Sequence, residues 1–291
     1  MATGAVSFQW LVAEPAFRTA AVQGSASAEA YRRALEIIVL VGLASAVGSG
    51  AVWLVALATR IGGEPAVVLT ATGFGHVWIA RLVLAVLMAG FVLLNRQRTD
   101  GTGWKHALAV IGAASLMGSL AWSGHAAGTP GVPGEIHRAA DVLHLVACAA
   151  WLGGLLPLWL LLRNGLRNTE QSLAFGIVTA TRRFSALGVA AVGTLLVSGL
   201  VNAWMLAGDP QALLDTRYGQ LLVLKVVLFL FMVALAACNR GRLVPELLHA
   251  GAMRRLAGNS LVEVGVGLVI LAIVGALGVL PPASHMAMPM H

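Results

Sequence analysis

The sequence predicts an all-α, polytopic membrane helical bundle made of two parallel four-helix repeats, and three observations lead there. Of its 291 residues, 58% are hydrophobic and only 11% charged, with a mean hydropathy of +0.85. That is more apolar surface than a soluble domain needs for its core. Seven stretches, 35–58, 76–94, 105–123, 141–162, 184–206, 221–239 and 260–280, come near the roughly 20 apolar residues that cross a bilayer, each bounded by charges, Gly or Pro. The second half of the chain also resembles the first.

The opening segment "ATGAVSFQWLVAEP" holds about a dozen apolar residues, with no basic n-region and no signal-peptide cleavage site. It predicts half a helix, and the internal repeat explains why. Offset by 144 positions, "TGFGHVWIARLVLAVLMAGFVLLNRQR" (72–98) lies over "TRYGQLLVLKVVLFLFMVALAACNRGR" (216–242) without a gap. The overlay matches Thr72 with Thr216, Gly75 with Gly219, Met88 with Met232, Asn95 with Asn239 and Arg96 with Arg240, and places Arg81 over Lys225. Further upstream, Gly4 pairs with Gly153, Trp10 with Trp159, and Arg32-Arg33 with Arg182-Arg183. The parent architecture has eight spans, and the N-terminus corresponds to the second half of span 141–162. A late start codon, a mispredicted gene or a genuine short first helix would each produce this pattern. The expected organisation is an N-terminal repeat (1–123), a Gly/Pro/His loop (124–140), a C-terminal repeat (141–283) and a Met/His tail (284–291).

Short cytoplasmic loops carry an excess of Lys and Arg. The clusters Arg18/Arg32/Arg33, Arg96/Arg98/Lys105, Arg163/Arg167/Arg182/Arg183 and Arg240/Arg242/Arg254/Arg255 occupy alternate loops, which predicts those loops inside. Loops 60–75, 124–140 and 207–220 and the C-terminal tail are then expected outside. The net charge of +7 belongs to these topology-setting clusters, so a lipid bilayer and not nucleic acid is the expected partner. Cys148 and Cys238 lie in apolar segments without CxxC spacing, which excludes a disulfide framework and a structural zinc site.

Candidate chemistry gathers on the outer face. His106 and His249 fall in cytoplasmic loops, whereas His76, His125, His137, His144, His285 and His291 lie at or near the outside. The tail "SHMAMPMH" combines His285 and His291 with Met286, Met288 and Met290. Thioethers are soft ligands suited to Cu(I), and imidazole suits either oxidation state of copper. The plain alternative is a frayed terminus that happens to carry methionine.

In "SGHAAGTPGVPGEIHRAADVLHLVACAAWLGG" (123–154), His137, Asp141, His144, Cys148 and Trp151 follow spacings of 4, 3, 4 and 3, one stripe of a helix descending into the membrane. Asp141 can orient the His144 imidazole or join it in binding a cation; otherwise it is a first-turn or N-cap acid. His144 is a ligand or an interhelical hydrogen-bonding contact. Cys148 reads as a small packing residue before a soft ligand. His125 and His285 close the outer ends of the two repeats and, with His144, form a candidate converging site. Arg81 and Lys225 are expected to snorkel to headgroups.

The runs "SGHA", "ADVLHLVACAAWLGGLLPLWLL", "TRRFSALGVAAVGTLLVSGLVNAW" and "YGQLLVLKVVLFLFMVALAACNR" resemble the CopD copper-resistance family of bacterial inner-membrane proteins. The likeness spans nearly the whole chain, and the D-x-x-H-x6-W-x-G-G run (Asp141, His144, Trp151, Gly153, Gly154) is its most specific part. The resemblance implies eight helices, a plasma-membrane location and the handling of copper delivered from the periplasm, with a periplasmic copper-binding protein as a partner. The family usually opens with a full first helix carrying a histidine, which this chain lacks, and His76 stands where a basic residue is expected. The leading expectation is copper transport or homeostasis without catalysis: the tail captures copper, and His125, His144 and His285 receive it. Two alternatives are a haem-binding membrane redox protein, for which His144 has no histidine partner deep in another span, and a scaffold assisting copper loading of cytochrome oxidase.

Overall fold

The computed structural model describes residues 1–22, 24–95, 103–123, 131–168, 170–207 and 212–280. Among these, every regular element is helical: α1 (Ala2–Phe8), a π-turn (Gln9–Ala13), α2 (Glu14–Thr19), α3 (Ala26–Ile61), α4 (Pro65–Ala71), α5 (Gly73–Leu94), α6 (Gly103–Gly118) with a 3-10 turn (Ser119–Trp122), α7 (Gly131–Gly165), α8 (Gln171–Ala207), α9 (Ala212–Asp215), α10 (Arg217–Cys238) with a π-turn (Asn239–Leu243), and α11 (Ala250–Leu277). Six of the described helices are long and apolar enough to span a membrane: α3, α5, α7, α8, α10 and α11. The chain is thus a polytopic helical membrane protein. The remaining apolar stretch, 105–123, forms α6 and the 3-10 turn that extends it.

Helix α7 is the centre of the bundle. Its most apolar window is 61% buried, against 6–28% for the other five spans, whose outer faces are left for lipid. It packs against α8, α11, α1, α6 and α3. In the N-terminal half α1 lies on α3 and α6, and α5 closes the group against both; in the C-terminal half α7 lies on α8 and α11, and α10 lies on α11. Phe8, Phe17, Leu155, Leu161, Leu162 and Ile177 are among the residues that fill the core between the halves, each at most 2% exposed.

The opening half-helix is helical from Ala2 to Thr19 and buried along most of its length. Pro15 has no N–H to give the carbonyl four residues earlier, that of Leu11. The helix widens into its π-turn there, and Arg183 Nε donates to the Leu11 carbonyl at 3.1 Å. Gly4 is required by packing: a Cβ placed on it would sit 2.3 Å from the Ala149 carbonyl oxygen of α7 and from the Gly153 backbone. Small residues permit such close helix crossings in membranes.

Helix α7 begins at Gly131, so residues 131–140 of the expected loop are helical. Pro133 falls in the first turn, where its missing N–H costs nothing and its φ already suits a helix. Further along, Pro157 interrupts the helix interior, and the Tyr31 hydroxyl donates to the Pro157 carbonyl at 2.9 Å.

Arg32, read from sequence as a topology-setting charge, is buried and paired with Glu14 through two hydrogen bonds of 2.7 and 3.2 Å, which tie α2 to α3. Arg18 meets His106 at 3.4 Å, Arg183 reaches Leu11, and Arg240 donates to Ser185 at 2.7 Å. These contacts bring the arginine-bearing segments together at one end of the bundle. Positions that the internal overlay aligns have matching local geometry. Thr72 and Thr216 each cap a helix by accepting from Gly75 and Gly219 N–H at 3.0 Å. His76 Nε2 lies 3.1 Å from the Thr70 carbonyl, and Gln220 Nε2 donates to the Leu214 carbonyl at 3.0 Å.

Candidate functional site

The polar stripe of α7 lies toward the end of the bundle opposite Arg18, Arg183 and Arg240, facing Ser198 of α8 and Lys225 of α10. His137 and Trp151 are 2% and 4% exposed, and Asp141, His144 and Cys148 between them are half-buried. Asp141 stands about three turns inside the helix, so it is not the cap or first-turn acid that the shorter span predicted.

His144 Nδ1 lies 3.1 Å from Ser198 Oγ, and that hydroxyl donates its proton to the Thr194 carbonyl at 2.6 Å. A serine has one proton to give. Ser198 therefore accepts from His144, which assigns the proton to Nδ1 and leaves the Nε2 lone pair available to a ligand. A hydrogen bond on the far nitrogen commonly orients a metal-binding histidine in this way. Gly199 of α8 also lies beside the ring, where a Cβ would be in van der Waals contact with His144 Cε1 at 3.4 Å.

Lys225 of α10 lies within electrostatic range of His144, Asp141 and Cys148. Its repeat-aligned counterpart behaves differently: Arg81 donates to Ser119 Oγ at 3.0 Å, to the Ser119 carbonyl at 2.8 Å and to Ser123 Oγ at 2.7 Å. Those bonds hold Arg81 inside the helix pair α5–α6, so it does not snorkel. One turn beyond Ser198 on α8, Asn202 Oδ1 is buried with no hydrogen-bond partner among the described residues. A polar atom left so is uncommon, and Asn202, four residues past Ser198, falls on the same face of α8.

Of the residues expected to bind metal, Asp141 and His144 are described and lie one turn apart. His125, His285, Met286, Met288, Met290 and His291 lie outside the described residues. Among the described residues no three His, Cys, Asp or Glu side chains converge on one point.

A second polar group, not singled out from sequence, lies toward the arginine-rich end of the C-terminal half. Glu263 of α11 is 2% exposed, and its Oε1 accepts from Asn239 Nδ2 at 2.7 Å, while Asn259 Nδ2 donates to Asn239 Oδ1 at 2.5 Å. Glu263 borders a partly open cavity of about 200 Å³ lined by residues of α7, α8, α10 with the turn that follows it, and α11. Its signal was present in "SLVEVGVGLVILAIVGAL": a carboxylate inside a membrane span is rare enough to be a functional candidate.

Comparison with known proteins adds identity to this geometry. The family described as Copper resistance protein D matches residues 178–277, and the Copper resistance protein D-like N-terminal domain matches residues 1–135. The stripe, in 136–177, falls between the two matches. The chain is 34% identical over 214 residues to Inner membrane protein YebZ of Escherichia coli (strain K12), covering 72% of this chain and 70% of that one. It is 29% identical over 263 residues to Copper resistance protein D of Pseudomonas syringae pv. tomato, covering 87% and 82%. It is 34% identical over 170 residues to Copper transport protein CutJ of Bacillus subtilis (strain 168), covering 58% of this chain and 30% of that longer protein. No solved structure matches.

Proposed function

The chain belongs to the copper resistance protein D family, and we propose that it carries copper across the bacterial inner membrane, with His144 as the membrane-embedded ligand. The observation that carries this reading is the Ser198–His144 hydrogen bond, which presents Nε2 within a polar stripe of the most buried helix. Copper is cargo in this scheme. It arrives from the periplasm, by way of a copper-binding protein, and meets the tail residues His285, Met286, Met288, Met290 and His291. It passes to His144 with His125 and His285 as co-ligands, and Asp141 offsets the positive charge of Lys225 so that a cation does not meet a net positive site.

The reading takes the arginine-rich end as cytoplasmic and the tail as periplasmic, in line with the distribution of Lys and Arg among the loops. It also takes the chain as two four-helix repeats, supported by the matching caps at Thr72 and Thr216.

The test is metal analysis and an optical spectrum of the detergent-purified full chain after growth in copper. Bound copper without a Soret band is the expected result, and its loss in His144→Ala at unchanged yield places it on the stripe. A stoichiometric Soret band would identify a haem protein and end the proposal.

A further inference from the structure

We infer that Glu263 is a reversible proton-binding site reached from the arginine-rich end of the bundle, and that protonation there accompanies copper movement through the C-terminal half. The second clause rests on the copper reading above; the first does not.

The carboxylate is buried in a membrane-spanning helix, 2% exposed, where an uncompensated charge is costly. Among the described residues, nothing compensates it by ion pairing. Helix α7 presents Trp151, Leu155 and Leu158 to the cavity, and α8 presents Thr181 and Ser185 among apolar neighbours. Among the described residues the only other charged one lining the cavity is Arg240, just past α10, which donates to Ser185 Oγ at 2.7 Å instead of to the carboxylate. One oxygen of Glu263 is held by Asn239, and no hydrogen bond among the described residues reaches the other.

That arrangement fits a proton and not a metal ion. A cation such as Ca²⁺ or Mg²⁺ needs several converging oxygens. Here the nearest amide turns its N–H toward the carboxylate, and its own oxygen is taken by Asn259. A proton needs one lone pair, and Oε2 supplies it: hydronium at the cavity mouth gives up H⁺ and leaves as water, the carboxylate becomes a neutral acid, and the reverse step returns the ion.

The location links this group to the stripe. Trp151 is the innermost stripe residue and also a wall of the Glu263 cavity, and its ring meets Phe229 of α10 edge-on at 6.2 Å. His144 lies about two turns before Trp151 on α7, and the Glu263 carboxylate borders the cavity that Trp151 lines. The cavity itself runs out to Arg240, which is exposed.

The test is labelling of the full chain in detergent with an apolar carbodiimide, which adds to a protonated carboxyl in an apolar setting, followed by mass-spectrometric mapping without copper. Label is expected at Glu263, with a rate that falls about tenfold for each pH unit above its titration midpoint. No label at Glu263 anywhere between about pH 5 and pH 9, or a rate there that ignores pH, overturns the proposal. The wild-type profile decides this even if Glu263→Gln fails to fold. In proteoliposomes, an imposed pH gradient is expected to change copper entry several-fold in wild type and not in Glu263→Gln. Equal gradient dependence in both removes the coupling. A labelled Glu263 in a protein that moves no copper would defeat the transport reading and leave the proton site standing.

Discussion

The two halves of the molecule have similar local folds and opposite uses of their polar groups. At the overlay position Arg81/Lys225, the N-terminal residue is fixed by three hydrogen bonds to Ser119 and Ser123, while the C-terminal one faces the stripe that carries His144. At Asn95/Asn239 the contrast recurs. Asn95 Nδ2 bonds the Phe91 carbonyl of its own helix at 2.9 Å, whereas Asn239 reaches across to Glu263. At these two positions the polar group of the first half completes the structure beside it, and that of the second is turned toward a groove or a cavity.

The largest expected effect breaks or upholds that division directly. Replacing His144 by Ala should abolish saturable copper transport at every copper concentration while the protein still inserts. Wild-type transport in that variant would make the stripe structural and the two halves equivalent. Ser198→Ala is the next test. It removes the acceptor that fixes the Nδ1 proton, so copper affinity should fall about ten- to a hundredfold, as for other lost supporting contacts of a ligating histidine. Affinity measured by competition with a chelator decides it.

A matched pair sharpens the comparison. Arg81→Gln should lower thermal stability by about 1–3 kcal/mol, since it strands the hydroxyls and carbonyl that Arg81 bonds, with copper affinity unchanged. Lys225→Gln should do the reverse, shifting copper affinity a few-fold with a small effect on the melting curve. The smallest effect belongs to the tail. Met286, Met288 and Met290 changed to Leu keep size and apolarity without the thioethers, so uptake should fall only when external copper is scarce.

Much of the fold was legible in the chain itself. Apolar runs between charges located the helices, because hydropathy and bilayer thickness act on local sequence alone. The overlay had paired Thr72 with Thr216, and only the structure shows that each caps a helix. Boundaries were less legible: α7 starts ten residues before the span expected from 141, since a proline in a first turn looks like a loop residue. The site was half legible. Spacing along one helix predicted the stripe, but Ser198 comes from a helix 54 residues away, and no local pattern announces which serine faces which histidine. Arg32 shows the same limit. A charge between two apolar runs reads as a topology signal, and only its approach to Glu14 reveals a buried pair. Glu263 was readable as an oddity; its amide partners and cavity required four helices to be in place.

The contact of Gly4 with Gly153 bears on how the two halves are joined. The two glycines stand backbone to backbone where α1 crosses α7, with no room for a side chain on Gly4. The seam between the halves is thus closed by main chain and not by interlocking side chains. The two halves, produced as separate polypeptides, should find each other in a membrane, and a bulky side chain at either glycine should keep them apart.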